Sequence, residues 1–135
     1  MPDTARYLRK ALHIDAATCA LFGAATLGLA HIAAEPLGLS TAFLRAAGAS
    51  LLPIAAFMLF AARSAPAQLW PAWVAVIGNA AWVLASVLLV VDGPESLTKL
   101  GSAFVIAQAV VVAVAAELEY VGLRKITQRS AAHAQ

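Results

Sequence analysis

The chain has 135 residues, of which 62% are hydrophobic and 12% charged, and its mean hydropathy is +0.84. Soluble domains carry roughly 25% charged residues, so this composition excludes a globular protein that is surrounded by water. The net charge of +2 comes from basic residues at the ends of apolar segments, without the basic patch of a nucleic-acid-binding surface, so we expect no nucleic-acid partner. The sequence predicts an all-α, polytopic membrane protein that has the lipid bilayer as its main partner.

Four apolar segments are each long enough to cross about 30 Å of hydrocarbon as a helix. They lie at about residues 11–34, 42–62, 70–91 and 100–120. Short connectors with Pro, Gly or Ser separate them, and such short connections make neighbouring helices antiparallel. Residues 1–135 are therefore predicted to form a single transmembrane domain, an up-down bundle of four transmembrane helices.

The basic residues predict the orientation of this bundle. Seven of the nine Lys and Arg residues lie on the side that holds both termini, and only Arg45 and Lys99 lie on the other side. Because cytoplasmic loops carry the excess of Lys and Arg, we expect both termini, with their short basic tails, to be cytoplasmic. An alternative is that the first segment is a cleaved signal peptide, since a basic start precedes it. The polar residues His13 and Asp15 within the segment argue against this alternative.

Asp15 is the most costly residue of the first segment. It lies roughly 6 Å inside the predicted membrane boundary. Insertion of a carboxylate at that depth costs less free energy than the ~3 kcal/mol needed at the membrane centre. No cationic residue is three or four positions away, so a partner must come from another helix, and Arg63, Arg124 and Lys125 are expected at a similar depth. Glu117 is expected at the same level and also needs a donor. This pattern favours a structural ionic cluster; the alternatives are a proton- or cation-handling site of Asp15 and Glu117, or snorkelling to water.

Further polar residues lie at the opposite side and near the predicted midplane. Glu35 ends the first segment and Arg45 begins the second, which predicts an ion pair across the short loop. Asn79 and Gln108 lie near the middle of the third and fourth segments. Amides at such depth usually form hydrogen bonds between helices. They therefore predict a shared polar layer, which is either a structural contact or the lining of a small-ligand site.

The residue content argues against a cofactor, a metal site and catalysis. Cys19 is the single cysteine, so paired-cysteine redox chemistry is excluded within one chain. His13 and His31 are about 27 Å apart along one helix, too far to ligate one haem iron. The sequence contains no glycine-rich phosphate loop and no nucleophile elbow. We therefore expect no cofactor, no metal and a non-enzymatic protein.

Three stretches resemble a group of small bacterial four-span integral membrane proteins that carry no assigned activity. These stretches are "RAAGASLLPIA" (45–55), "GNAAWVLASVLLV" (78–90) and "LGSAFVIAQAVVVAVAAELEYVGLRK" (100–125), and the resemblance covers most of the chain. It implies the four-span fold and a location in the bacterial inner membrane. The residues that this pattern points to are Arg45, Pro53, Asn79, Trp82, Gln108 and Glu117.

Three functions remain open from the sequence, one of which is a membrane enzyme for which no candidate nucleophile is present. The leading hypothesis is an accessory or assembly protein that acts through helix–helix contacts within a larger membrane complex or a homo-oligomer. Its support is the spacing of small residues at Ala20, Ala24 and Gly28 and the amides near the midplane. The alternative is a small oligomeric transporter or a lipophile- or lipid-binding membrane protein that uses the two acidic residues and the amide layer.

Overall fold

The structure, a computed structural model, describes residues 2–133, which contain four α-helices and no β-strand within that range. The helices are α1 (Pro2–Leu37), α2 (Thr41–Ser64), α3 (Trp70–Asp92) and α4 (Lys99–His133). Each helix contains a segment that is long and apolar enough to cross a membrane. The prediction of an all-α fold with four helices long and apolar enough to span a membrane is confirmed for the described residues, and these helices indicate a multi-pass membrane protein.

The four helices form a ring in which each helix packs against its neighbours in chain order and α4 returns to α1. At one end of the bundle the α1–α2 loop and the α3–α4 loop lie together. Thr98 Oγ1 there donates a hydrogen bond to the Pro36 carbonyl at 2.7 Å. At the other end Arg129 Nη1 donates to Thr4 Oγ1 at 2.8 Å, so the beginning of α1 and the end of α4 lie together. We call these the loop end and the termini end of the bundle.

Helices α1 and α4 extend beyond the predicted membrane spans at the termini end. α1 begins at Pro2 rather than near residue 11, and α4 continues to His133 rather than ending near residue 120. The added turns pack through Leu8 and Leu123, which are both fully buried, and carry basic side chains on their exposed faces. Apolar length sets where a helix can cross lipid, whereas the helix itself continues as long as its backbone groups remain paired.

Helices α1 and α2 make the most extensive contact of the bundle. A Cβ atom added at Gly23 would lie 2.8 Å from the carbonyl oxygen of Gly48, so the two backbones touch where both residues lack a side chain. The small-residue face predicted at Ala20, Ala24 and Gly28 does not make this contact. Gly28 is exposed, and a Cβ atom there would have no neighbour within 4 Å.

Helices α2 and α3 pack least extensively among the neighbouring pairs. Near the termini end Trp70 of α3 contacts Phe57 and Phe60 of α2, with ring centroids 6.4 and 6.2 Å apart. Beyond this aromatic contact, towards the loop end, the two helices leave a cleft between them. Large apolar side chains are exposed around the bundle, as expected for surfaces that face lipid.

Candidate functional site

A cluster of polar side chains lies in the core of the bundle. Asp15 of α1, Asn79 of α3 and Glu119 of α4 are 2%, 4% and 0% exposed. Asn79 Nδ2 donates a hydrogen bond to Asp15 Oδ2 at 2.7 Å and another to Glu119 Oε2 at 3.3 Å. Cys19 Sγ, one turn after Asp15, donates to Asp15 Oδ1 at 3.8 Å. We call these four residues the acid–amide cluster; it connects three of the four helices.

The acid–amide cluster contains two carboxyl groups and no cation. Among residues 3–132 the one ion pair within 4.0 Å is Arg6 with Asp3, on the exposed first turn of α1. Because Asp15 and Glu119 both contact the Asn79 nitrogen, their like charges would lie close together away from water. Two like charges placed so close together, away from water, repel each other strongly.

One atom of the cluster is left without a partner. Glu119 Oε1 has no hydrogen-bond partner, and it is the only buried side-chain oxygen or nitrogen in the described part of the chain without one. An unpartnered buried polar atom costs free energy of roughly 1–3 kcal/mol. A carboxyl pair at such a cost inside a membrane bundle is a candidate functional site by default.

Glu119, rather than Glu117, is the acidic residue that joins Asp15. Glu117 is exposed, since residues two positions apart on a helix point about 200° from each other. The spacing of the two glutamates from Gln108 could have predicted which of them faces the core. Glu119 follows Gln108 by eleven residues, which is about three turns, whereas Glu117 follows it by nine, about two and a half turns. Only Glu119 therefore shares the inward face of Gln108.

The structure does not form the predicted ionic cluster or the predicted outer ion pair. Arg63 and Arg124 are exposed and make no ion pair with Asp15 within the described residues. Glu35 and Arg45 are also exposed, and their carboxylate oxygens and guanidinium nitrogens lie more than 4.0 Å apart. Long basic side chains reach water at the membrane boundary, so no attraction draws them into the core.

Asn79 and Gln108 do not form one polar layer. Gln108 Oε1 accepts a hydrogen bond from Trp82 Nε1 at 2.8 Å, and Gln108 Nε2 donates to Ser86 Oγ at 2.8 Å. We call Trp82, Ser86 and Gln108 the indole–amide cluster. The predicted midplane layer is thus two separate clusters, because Asp15 lies deep enough to be the partner of Asn79.

The cleft between α2 and α3 contains two cavities. The outer cavity, towards the loop end, has a volume of about 590 Å³, and the inner cavity has a volume of about 310 Å³. Leu51 and Trp82 line both cavities, and most of the other wall residues are apolar. Both volumes fall within the range of roughly 300–1,000 Å³ that is typical of small-molecule sites.

Each polar cluster reaches one cavity. Ser86 and Gln108 line the outer cavity, whereas Cys19 and Asn79 line the inner one. Asp15 and Glu119 lie behind Asn79 and do not line either cavity. The arrangement is an apolar cleft that presents a few polar atoms at its floor, which suits binding and orientation of a ligand.

Known protein families, curated proteins and solved structures include no match to this chain. Within residues 3–132, no group of three or more His, Cys, Asp or Glu side chains is arranged to hold a metal ion. The geometry of the cleft and its two polar clusters therefore carries the functional assignment.

Proposed function

We propose that this protein binds a single-chain lipophile that enters from the bilayer between α2 and α3. The observation that carries the proposal is the cleft between these helices, with two cavities that share Leu51 and Trp82. Its walls are apolar and its floor bears the two polar clusters. A water-soluble ligand would leave most of its polar groups unpaired against such walls.

Selectivity for a ligand over ordinary lipid must come from the floor of the cleft. Lipid tails are as apolar as the walls, so apolar contact alone does not favour a ligand over the surrounding bilayer. Asn79 in the inner cavity and Gln108 in the outer cavity supply the polar contacts that do. We therefore expect a ligand that has an apolar chain and one polar end.

We further propose that the protein lies in a bacterial inner membrane with both termini in the cytoplasm. Support for the orientation comes from the positions of the basic residues, seven of nine of which belong to the side of the termini. Support for the membrane comes from the sequence resemblance to small bacterial four-span proteins.

Lipophile binding is preferred here to the role of an accessory or assembly subunit. The assembly hypothesis relied on small residues available for contact with another protein. The closest contact between glycines, that of Gly23 with Gly48, is made within the chain itself. The amides that also supported this hypothesis make hydrogen bonds inside the bundle.

Native mass spectrometry of the protein, gently extracted from its own membranes, tests the proposal. The informative variant is Gly78→Leu, because Gly78 lines the inner cavity and a Cβ atom there has no neighbour within 4 Å. The added side chain fills the cavity without a backbone clash. Gly28→Leu is the matched control, since Gly28 is equally unobstructed and lines neither cavity.

We expect the wild type and Gly28→Leu to retain a bound molecule with the mass of a single-chain lipophile, and Gly78→Leu to lose it. Equal retention by both variants, or a wild type without any bound molecule, would contradict the proposal. A stoichiometric protein partner in place of a lipophile would favour the assembly subunit.

A further inference from the structure

The side chains that line the inner cavity offer a ligand a single free polar atom. Three of them carry nitrogen, oxygen or a thiol, and they belong to Cys19, Asn79 and Trp82. Cys19 Sγ donates its hydrogen to Asp15, and Trp82 Nε1 donates to Gln108. The Asn79 Nδ2 atom is occupied by the two carboxyl groups. Only the Asn79 carbonyl oxygen remains.

The carboxyl pair fixes which atom of Asn79 faces the cavity. Carboxylate oxygens accept hydrogen bonds, so the amide nitrogen turns towards Asp15 and Glu119 and the amide oxygen turns away. Asn79 Oδ1 accepts no hydrogen bond from residues 3–132, and it is not among the fully buried atoms without a partner. It therefore reaches the surface of the cavity as an acceptor. The polar end of a ligand must then be a hydrogen-bond donor.

The charge behind Asn79 selects among donors. The acidic side chains of Asp15 and Glu119 put negative charge behind Asn79, and no Lys, Arg or His in the described range lies within 4.0 Å of it. This charge polarises the amide and attracts a cation in the cavity. A protonated amine supplies both the donor and the positive charge, whereas an alcohol supplies the donor alone.

We infer that the inner cavity takes the ammonium end of a single-chain amphiphilic amine, with Asn79 Oδ1 as its acceptor and the Asp15–Glu119 pair as its counter-charge. The apolar chain of the amine lies along the cleft past Leu51 and Trp82 into the outer cavity. This inference rests on the proposed function, because it specifies the ligand of the same cleft.

Quenching of Trp82 fluorescence by two probes with the same tail tests the inference. The probes are a brominated twelve-carbon amine and the corresponding brominated alcohol, added to the full chain in vesicles of zwitterionic lipid. Replacing Trp70 and Trp73 by Phe leaves Trp82 as the only tryptophan, since the chain has three. A second protein that keeps Trp70 alone reports simple partition into lipid, because Trp70 is exposed and lines neither cavity.

We expect saturable quenching of Trp82 at a mole fraction about tenfold lower for the amine than for the alcohol, because a charged donor forms the stronger hydrogen bond. Quenching of Trp70 should rise in proportion to the mole fraction of either probe in the vesicles. In Asp15→Asn/Glu119→Gln the advantage of the amine should disappear, while the alcohol still saturates Trp82 and so reports an intact cleft.

The comparison in the protein with both acids intact decides the inference even if the double variant does not fold. Saturation at equal mole fractions of amine and alcohol, or at a lower one for the alcohol, would overturn the inference and leave lipophile binding in place. An amine advantage that persists in a folded double variant would also overturn it. Quenching of Trp82 that merely parallels Trp70 for both probes would overturn the proposed function itself.

Discussion

The two faces of α2 make very different contacts. On one face the backbone of α2 touches α1, with Gly48 against Gly23. On the other face α2 packs less extensively against α3, with Phe57 and Phe60 against Trp70 near the termini end, and a cleft separates the helices beyond. Helix α2 therefore packs closely against one neighbour and loosely against the other. The close contact leaves no room for a foreign atom, and the loose contact leaves room for a ligand.

Polar contacts reinforce this difference. The acid–amide cluster connects α1, α3 and α4, and the indole–amide cluster connects α3 with α4. In the described part of the chain, no side chain of α2 forms a hydrogen bond to another helix. Helix α2 is held to α1 mainly by close packing, together with the hydrogen bond that Arg9 Nε donates to the carbonyl of Ala65, the C-cap of α2, at 2.7 Å. Its boundary with α3 is the entrance that the proposed function requires.

The largest expected effect is that of Gly48→Leu on stability. Its side chain would have to enter the space where α1 and α2 touch, with even its Cβ atom 2.8 Å from the Gly23 carbonyl oxygen. We expect a loss of at least about 3 kcal/mol in the free energy of unfolding, at the upper end of overpacking effects. Unfolding in mixed detergent–SDS micelles, followed by circular dichroism, measures it. Gly28→Leu is the control, and an equal loss in both variants would show that the α1–α2 contact is not special.

Asn79→Leu should have the next largest effect. It removes the one nitrogen that donates to both Asp15 and Glu119 and leaves two buried carboxyl groups without that donor. We expect a loss of about 3 kcal/mol, at the upper end of the cost of leaving buried acceptors without their donor. Adding Glu119→Leu to this variant should restore part of the loss, since it removes the second carboxyl group. An unchanged unfolding transition in Asn79→Leu would contradict the geometry of the cluster.

Gln108→Leu should have the smallest effect of the three. The substitution takes the acceptor from Trp82 Nε1, and both residues are only partly buried beside the outer cavity. We expect a loss of roughly 1–2 kcal/mol, because the Gln108 side chain makes hydrogen bonds with both Trp82 and Ser86 and an uncharged bond has a small net value. The same unfolding assay checks it. A loss as large as that of Asn79→Leu would mean that the two polar clusters do not differ in burial and charge as described.

The helices could be predicted from the sequence because length and apolarity alone determine whether a segment crosses lipid. The importance of Asp15 could also be predicted, since a carboxylate within an apolar segment always needs a partner. Its partner could not. Charge complementarity pointed to Arg63 and Arg124, but the deeper position of Asp15 brings it to Asn79 instead.

The cleft had no signature in the sequence. Residues that line it, such as Leu51, Gly78 and Leu89, are the same types that pack against a neighbouring helix or against lipid. Whether such residues face a neighbouring helix, lipid or a cavity depends on three-dimensional positions, which spacing along one helix does not contain.

The position of a bound lipophile is the most direct test of the cleft between α2 and α3. Crystals of the protein soaked with a bromine-labelled twelve-carbon alcohol would locate the bromine by its anomalous scattering. Binding in the cleft predicts a bromine peak between α2 and α3, beside Leu51 and Trp82. This peak should disappear in Gly78→Leu and persist in Gly28→Leu. Bromine found only on the outer, lipid-facing surfaces of the bundle, or a cleft closed by contact between α2 and α3, would contradict it.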